Sequence, residues 1–201
     1  DELIENYGIV KVGTSESSIV DSFNQDGTRI SQVQSVIVTY IYGEREGYRA
    51  ILTGVEETQH GITRSIDSFG NYTDTRVNNT YNQELINSYG IVKVATSESS
   101  IVGSFNHDGT NITQVQSAIV TYRYEQRGVF QGILTGVVET QHGITRSSDY
   151  FGNYTDTQVS NSYNLNLIRR FGVVKLITSE SRIVNSFNED GTRISQVESA
   201  I

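Results

Sequence analysis

The chain has 201 residues, 36% of them hydrophobic, and a net charge of −8 at pH 7. Without a basic stripe it is not expected to take a nucleic-acid partner, which requires clustered Lys and Arg. It has no Cys, Met, Trp or Pro, so disulfides and thiolate metal sites are ruled out and no Pro interrupts hydrogen bonding along a strand.

Read in chain order, the first stretch predicts four long strands joined by tight turns. Strand one covers residues 8–23 and ends at Asn24-Gln25-Asp26-Gly27. Asp-Gly between alternating strand residues is the strongest short-range hairpin signal and predicts a type I′ turn. Strand two, residues 28–42, is rich in β-branched and aromatic side chains, and its second half is apolar on both faces. Gly43-Glu44-Arg45-Glu46-Gly47 is the next turn. Strand three, residues 48–65, contains Gly54 and Gly61, expected at bulges or close approaches. Phe69-Gly70-Asn71 turns into strand four, residues 72–81. Glu84-Leu85-Ile86 is too short for helical periodicity and is read as the end of strand four.

The chain then says the same thing again. Tyr7-Gly8-Ile9-Val10-Lys11-Val12 returns as Tyr89-Gly90-Ile91-Val92-Lys93-Val94, and as Phe171-Gly172-Val173-Val174-Lys175-Leu176. Residues 7–88 laid over 89–170 without a gap give 58 identities in 82 positions. The expected organisation is the end of a preceding repeat over 1–6, repeats over 7–88 and 89–170, and a partial repeat over 171–201. On this register the chain reads as a window on a longer repetitive polypeptide. Such arrays bury the apolar face of each unit against its neighbours and serve as scaffolds, stalks and binding surfaces more often than as enzymes. Counted without Tyr and with Gly, the apolar share is about 39%, against roughly 45–50% in ordinary globular chains. The core should be thin, with Ser, Thr and Asn on a wet sheet face. The expected fold is all-β, with long antiparallel hairpins in a continuous twisted or spiralling sheet. A parallel β-solenoid is the alternative, disfavoured because the turns reverse the chain.

Asp67-Ser68-Phe69-Gly70-Asn71-Tyr72-Thr73 and Asp149-Tyr150-Phe151-Gly152-Asn153-Tyr154-Thr155 carry a family likeness, with Thr80-Tyr81-Asn82 and Ser162-Tyr163-Asn164 as a following beat. They resemble the YD (Rhs-type) tandem repeats of giant secreted bacterial proteins. That resemblance implies extended antiparallel hairpins in a spiralling sheet on the cell exterior. Ile66 and Ser148 stand where the motif has Tyr, and the Pro-containing segment that ends an Rhs core is absent. No toxin cargo or self-cleavage is therefore implied.

Catalytic and metal chemistry finds little purchase. His60 and His142 stand in identical Gln-His-Gly contexts and His107 in a turn; all three read as exposed turn histidines, without a second His or a Cys to complete a metal site. Glu56-Glu57 becomes Val138-Glu139 in the second unit, which reads as a solvated face. No Gly-x-Ser-x-Gly elbow or Gly-rich phosphate loop occurs. Asn24, Asp26 and Thr28, with Asn106, Asp108 and Thr110, alternate oxygen ligands as a calcium loop does, against plain turn chemistry as the simpler reading. Asn71, Asn78, Asn111 and Asn153 head Asn-x-Ser/Thr sequons and are candidate glycosylation sites. Thr73-x-Thr75 and Thr155-x-Thr157 recur too rarely for an ice-binding ladder.

The expectation is a non-enzymatic structural repeat segment, without cofactor, of an extracellular or cell-surface filament, tube, sheath or adhesin stalk. Its partner is itself or its neighbouring repeats, joined through strand edges. The alternative is a glycan- or surface-binding module using the variable tips 43–50 and 125–132, with Tyr48, Phe130 and Tyr150 as contacts. The apolar runs, such as Val36 to Ile41, are too short to span a bilayer.

Overall fold

The computed structural model describes residues 11–20, 22–24 and 26–194. The expected strand start at Gly8, the 1–6 segment and the last part of the partial repeat lie outside them. The strands of the first unit are β1 (Thr14–Ser17), β2 (Ser22–Phe23), β3 (Arg29–Gln34), β4 (Val36–Arg45), β5 (Tyr48–Gln59), β6 (Gly61–Ile66) and β7 (Tyr72–Tyr81), followed by the helix α1 (Gln83–Tyr89). Then come β8 (Val94–Phe105), β9 (Asn111–Gln116), β10 (Ala118–Arg127), β11 (Phe130–Gln141), β12 (Gly143–Ser148), β13 (Tyr154–Tyr163), the helix α2 (Leu165–Phe171) and β14 (Leu176–Phe187). The fold is all-β with two short helices.

Every described ladder is antiparallel, so the parallel alternative has no strand pair to rest on. The sheets run β1-β4-β5, then β11-β10-β8-β7-β6-β3-β2, then β14-β13-β12-β9. The long hairpin of each unit is shared between two sheets. In the second unit its β9/β12 half continues into β13, while its β10/β11 half attaches to β8.

This sharing requires a break that the strand pattern did not reveal. The expected strand over 28–42 is interrupted at Ser35, and that over 48–65 at His60; Ser117 and His142 are the equivalents. A kinked ladder leaves backbone carbonyls without partners, and glutamine side chains take them up. Gln34 Nε2 donates to the His60 carbonyl at 2.8 Å, Gln59 Nε2 to the Ser35 carbonyl at 2.9 Å, and Gln32 Nε2 to the Ile62 carbonyl at 3.1 Å. Gln116, Gln141 and Gln114 repeat all three contacts. At the kink a Cβ on Gly61 would lie 2.5 Å from Val36 Cγ2, the close approach expected there. Gly54 adjoins a bulge, where Thr53 slips out of register and its hydroxyl donates to the Ile41 carbonyl at 3.2 Å.

The turns differ from expectation in one respect. At Asn106-His107-Asp108-Gly109 only the glycine has positive φ, +80°, and Gly109 N–H returns to the Asn106 carbonyl at 3.1 Å. This is a type I turn closed by a left-handed glycine rather than type I′. Asp108 makes it so by accepting from Thr110 N–H at 2.9 Å, which holds the aspartate as a turn residue with negative φ. The two-residue I′ geometry appears at the long-hairpin tip, where Glu46 and Gly47 have φ of +51° and +80°.

The helix was not expected. Asn82 caps α1 by accepting from Leu85 N–H at 3.0 Å, and Gly90, at φ +65°, closes it with Gly90 N–H on the Ile86 carbonyl and Ile91 N–H on the Leu85 carbonyl. Asn164 and Gly172 do the same for α2. Each helix drives one isoleucine, Ile86 or Ile168, into full burial against the long hairpin of its unit, β5 or β11. With Ala50, Val55 and Val137 these residues make a thin core, as the composition implies. Arg127 Nη1 reaches the Arg169 carbonyl at 2.6 Å, spanning 42 residues.

Candidate functional site

The regions that could carry function are the junction between units, the kink and the loop tips. The junction begins with the β7–β8 ladder, ten register pairs from Tyr72↔Phe105 to Tyr81↔Val94. The β13–β14 ladder has the same pairs, each residue number raised by 82, with bulges at the same places. Side chains reinforce it identically: Thr80 and Thr96 hydroxyls meet at 2.6 Å, as do Ser162 and Thr178. On its other side β8 pairs Thr96–Ser99 with Ala118–Thr121 of β10. Beyond that point β8 and β9 are joined through side chains. Ser104 Oγ accepts from Ile112 N–H at 2.8 Å and donates to the Ile112 carbonyl at 2.9 Å, while Gln114 Oε1 accepts from Ile101 N–H at 2.8 Å.

The turns are also linked across units. Asp67 accepts from Phe69 and Asn71 N–H and from Asn71 Nδ2, and the Asn71 side-chain bond holds its carboxyl below the usual range. The amide oxygen of Asn71 then accepts from His107 N–H at 2.9 Å, in the next unit's turn. Asn153 repeats this with Asp149 and Glu189. Phe105 stacks on Tyr72 at 5.9 Å, and the Arg64 guanidinium lies 3.9 Å from the centre of the Tyr72 ring while forming a two-point pair with Asp74, both bonds 2.7 Å. Arg146, Asp156 and Tyr154 reproduce the arrangement.

At the kink the glutamates separate in role. Glu56 is exposed, whereas the side chain of Glu57 is 1% exposed and accepts from Asn79 N–H at 3.0 Å. Glu139, 2% exposed, does the same for Asn161. The expected solvated pair is therefore one solvent residue and one buried strap from β5 to β7, which explains why Glu57 persists as Glu139 while Glu56 becomes Val138. His60 and His142 are not turn residues. They sit half-exposed at the kink, Nδ1 3.4 Å from Glu57 and Glu139 respectively; His142 is not aligned for a hydrogen bond there. The forking of the sheets leaves an apolar cavity of about 220 Å3 beside Ile101, Ala118 and Val159, and one of about 310 Å3 beside Ile19, Val36 and Val77.

Among the described residues no group of three or more His, Cys, Asp or Glu could hold a metal. Asp26 and Asp108 spend their carboxylates on Thr28 and Thr110 N–H, which depresses both pKa values, and Asn106 donates to the Thr110 carbonyl. Asn24 is exposed, its N–H bonded to the Thr28 carbonyl. Of the sequon residues, Asn71 and Asn153 have Nδ2 engaged by Asp67 and Asp149, Asn78 is half-buried opposite Glu98, and Asn111 is exposed at the start of β9. Tyr48 and Phe130 are exposed at equivalent hairpin tips, but Tyr150, 90% exposed, stands in the β12–β13 turn at the opposite end of the ribbon. The structure thus brings no three-residue contact patch together. No described helix is long and apolar enough to cross a membrane.

The chain matches no known family profile, no curated protein and no solved structure.

Proposed function

We propose that this chain is a structural repeat segment of an extracellular filament, tube, sheath or adhesin stalk, in which 82-residue units join through β-strand edges. The observation that carries this reading is the junction itself. The β7–β8 and β13–β14 ladders keep one register and one pair of bulges, so each unit hands the next the surface it received. A contact that is head-to-tail and does not close on itself extends indefinitely. The likeness to YD repeats points the same way, and the acidic charge keeps such a fibre soluble. The tips support a second reading, surface or glycan binding, because Tyr48 and Phe130 are 70% and 68% exposed at equivalent positions. Electron microscopy of the native material tests the first: filaments with an axial repeat explained by 82-residue units are expected, and discrete particles would exclude it. Replacing 43–50 and 125–132 by short turns tests the second, since glycan binding that survives their loss cannot reside there.

A further inference from the structure

The two units differ in charge, and the difference is local. Over the long hairpin and the helix packed on it, residues 36–59 and 83–89 of the first unit carry five carboxylates and two arginines. The matching residues 118–141 and 165–171 carry two carboxylates and four arginines, in a chain whose net charge is −8. Arg123, Arg169 and Arg170 stand where the first unit has Ile41, Asn87 and Ser88, and Arg127 matches Arg45. Glu44, Glu46, Glu56 and Glu84 become Gln126, Gly128, Val138 and Asn166. Of the two carboxylates that remain, Glu139 is buried and spent on Asn161 N–H, which leaves Glu125 on the surface.

The groove between hairpin and helix changes with the charge. In the first unit Gln83 bridges it, Nε2 donating to the Thr53 carbonyl at 2.7 Å and to Asn87 Oδ1 at 2.8 Å. Leu165 and Arg169 replace both amides, so this bridge cannot form, and Leu165 is left 45% exposed. A cavity of about 250 Å3 lies there, walled by Arg123, Glu125, Leu165 and Arg169 beside residues 135–138. The Arg123 arm lies along Gly136 of the opposite strand, 3.7 Å from where a Cβ would stand. Arg127, opposite the exposed Phe130 at the tip, has one N–H on the Arg169 carbonyl. All four arginines are exposed, and among the described residues none of them is ion-paired.

We propose that this groove and the tip beside it bind an acidic polysaccharide. A guanidinium presents its N–H groups as a rigid planar fork that fits a carboxylate at two points. Arginines without a carboxylate partner in the chain keep those forks open for one in a ligand. Phe130 supplies an apolar ring on which the face of a sugar rests. Four arginines in one patch suit an anion whose charges are spaced by sugar rings, whereas a nucleic acid requires an extended basic stripe that this chain lacks. This rests on the reading of the tips as a glycan-binding surface; it gives the ligand a charge and the second unit as its seat.

Isothermal titration of the 201-residue protein with polygalacturonate at low ionic strength tests it. The double substitution Arg123→Gln with Arg169→Gln, on exposed side chains, should weaken binding by about tenfold or more while circular dichroism stays unchanged. Arg123→Gln alone should weaken it several-fold, and decides the matter if the double variant is misfolded. Arg45→Gln, in the first unit, should leave binding as it is. Fully methyl-esterified polygalacturonate, which keeps the sugars and loses the charge, should not bind. Absence of binding to polygalacturonate overturns the proposal, as does binding untouched by the Arg123 and Arg169 substitutions. Equal affinity for poly-glutamate or for single-stranded oligothymidylate overturns it too, by making the patch a seat for any polyanion. An esterified polymer bound as tightly as the acid also overturns it, yet leaves the tip reading standing if replacing 43–50 and 125–132 abolishes that binding.

Discussion

Residues 12–23 and 94–105 are nearly the same peptide, differing at Gly13/Ala95 and Asp21/Gly103, yet they make different structures. The second is one twelve-residue strand, β8. In the first, β1 and β2 form, and residues 18–20 after β1 have no strand structure. The sequences are too alike to explain this, so the neighbours must. Among the described residues β8 lies along the whole of β7, whereas β1 pairs with β4 and β2 with β3. A strand persists as long as its backbone groups find partners, and here that length is a property of the ladder rather than of the peptide. Tyr124, whose hydroxyl donates to the Val94 carbonyl, has its pKa pushed up to about 12 by burial, and burial also raises that of its counterpart Tyr42.

The largest effect should come where both units are equally complete. Ile86→Ala and Ile168→Ala each remove a fully buried side chain and should each cost about 2–5 kcal/mol. Chemical denaturation followed by amide exchange would reveal any asymmetry, and a cost confined to one unit breaks their equivalence. The comparison of β1 with β8 is sharpened by placing proline at the same position of each. Ser97→Pro deletes a bond to β10 inside a paired strand and should cost about 3 kcal/mol; Ser15→Pro, in the exposed copy, should cost less than about 1 kcal/mol. Equal loss of exchange protection in β4 and β10 would contradict the account.

A smaller effect separates the two aspartates. Arg146, then Asn185 at 3.2 Å, hold Asp156 below the usual carboxylate range, whereas Gly103 takes the place of Asn185 opposite Asp74. With the folded-state value depressed, Asp156 contributes its stability above the unfolded value of about 4 and loses it as pH falls through the folded value. Asp156→Asn should therefore cost about 2 kcal/mol at pH 7 and little in acid. Asn185→Gly should move the acid unfolding midpoint slightly upward, and an unchanged midpoint would remove Asn185 from the explanation. The smallest effect concerns Gly132, at φ +67° where the first unit has Ala50 at +57°. Gly132→Ala should cost about 1 kcal/mol of left-handed strain, with its Cβ 3.3 Å from Ile91 Cγ2; a thermal melt shifted upward would contradict this.

Much of this was legible in the sequence. The DGT and FGN turns and strand four appear where the residues place them, because turn chemistry is local. The helices escaped because seven residues give too few turns for a periodic pattern, although Asn82 and Gly90 were visible as caps. The breaks at Ser35 and His60 escaped because alternation continues across them. Their signal lay elsewhere: Gln32, Gln34 and Gln59 return unchanged as Gln114, Gln116 and Gln141, amides kept in both copies of a strand, where they satisfy carbonyls that the bend strands. Glu57 could have been separated from Glu56 in the same way, by its survival in the second unit. Arg64 and Asp74 also return, as Arg146 and Asp156, but their opposition across a ladder is not written in spacing.

The reach of the hydrogen bonds has a kinetic consequence. The Arg127–Arg169 bond spans 42 positions, about half a unit, and the ladders join strands within one unit or to the next. Loop closure therefore spans at most neighbouring units, and the sequence separation of these contacts does not grow as units are added. Folding can begin at any long hairpin and spread to either side. A growing chain can complete each unit as it emerges from the ribosome, so the time to fold a polypeptide of many such units should follow the rate of synthesis rather than its length.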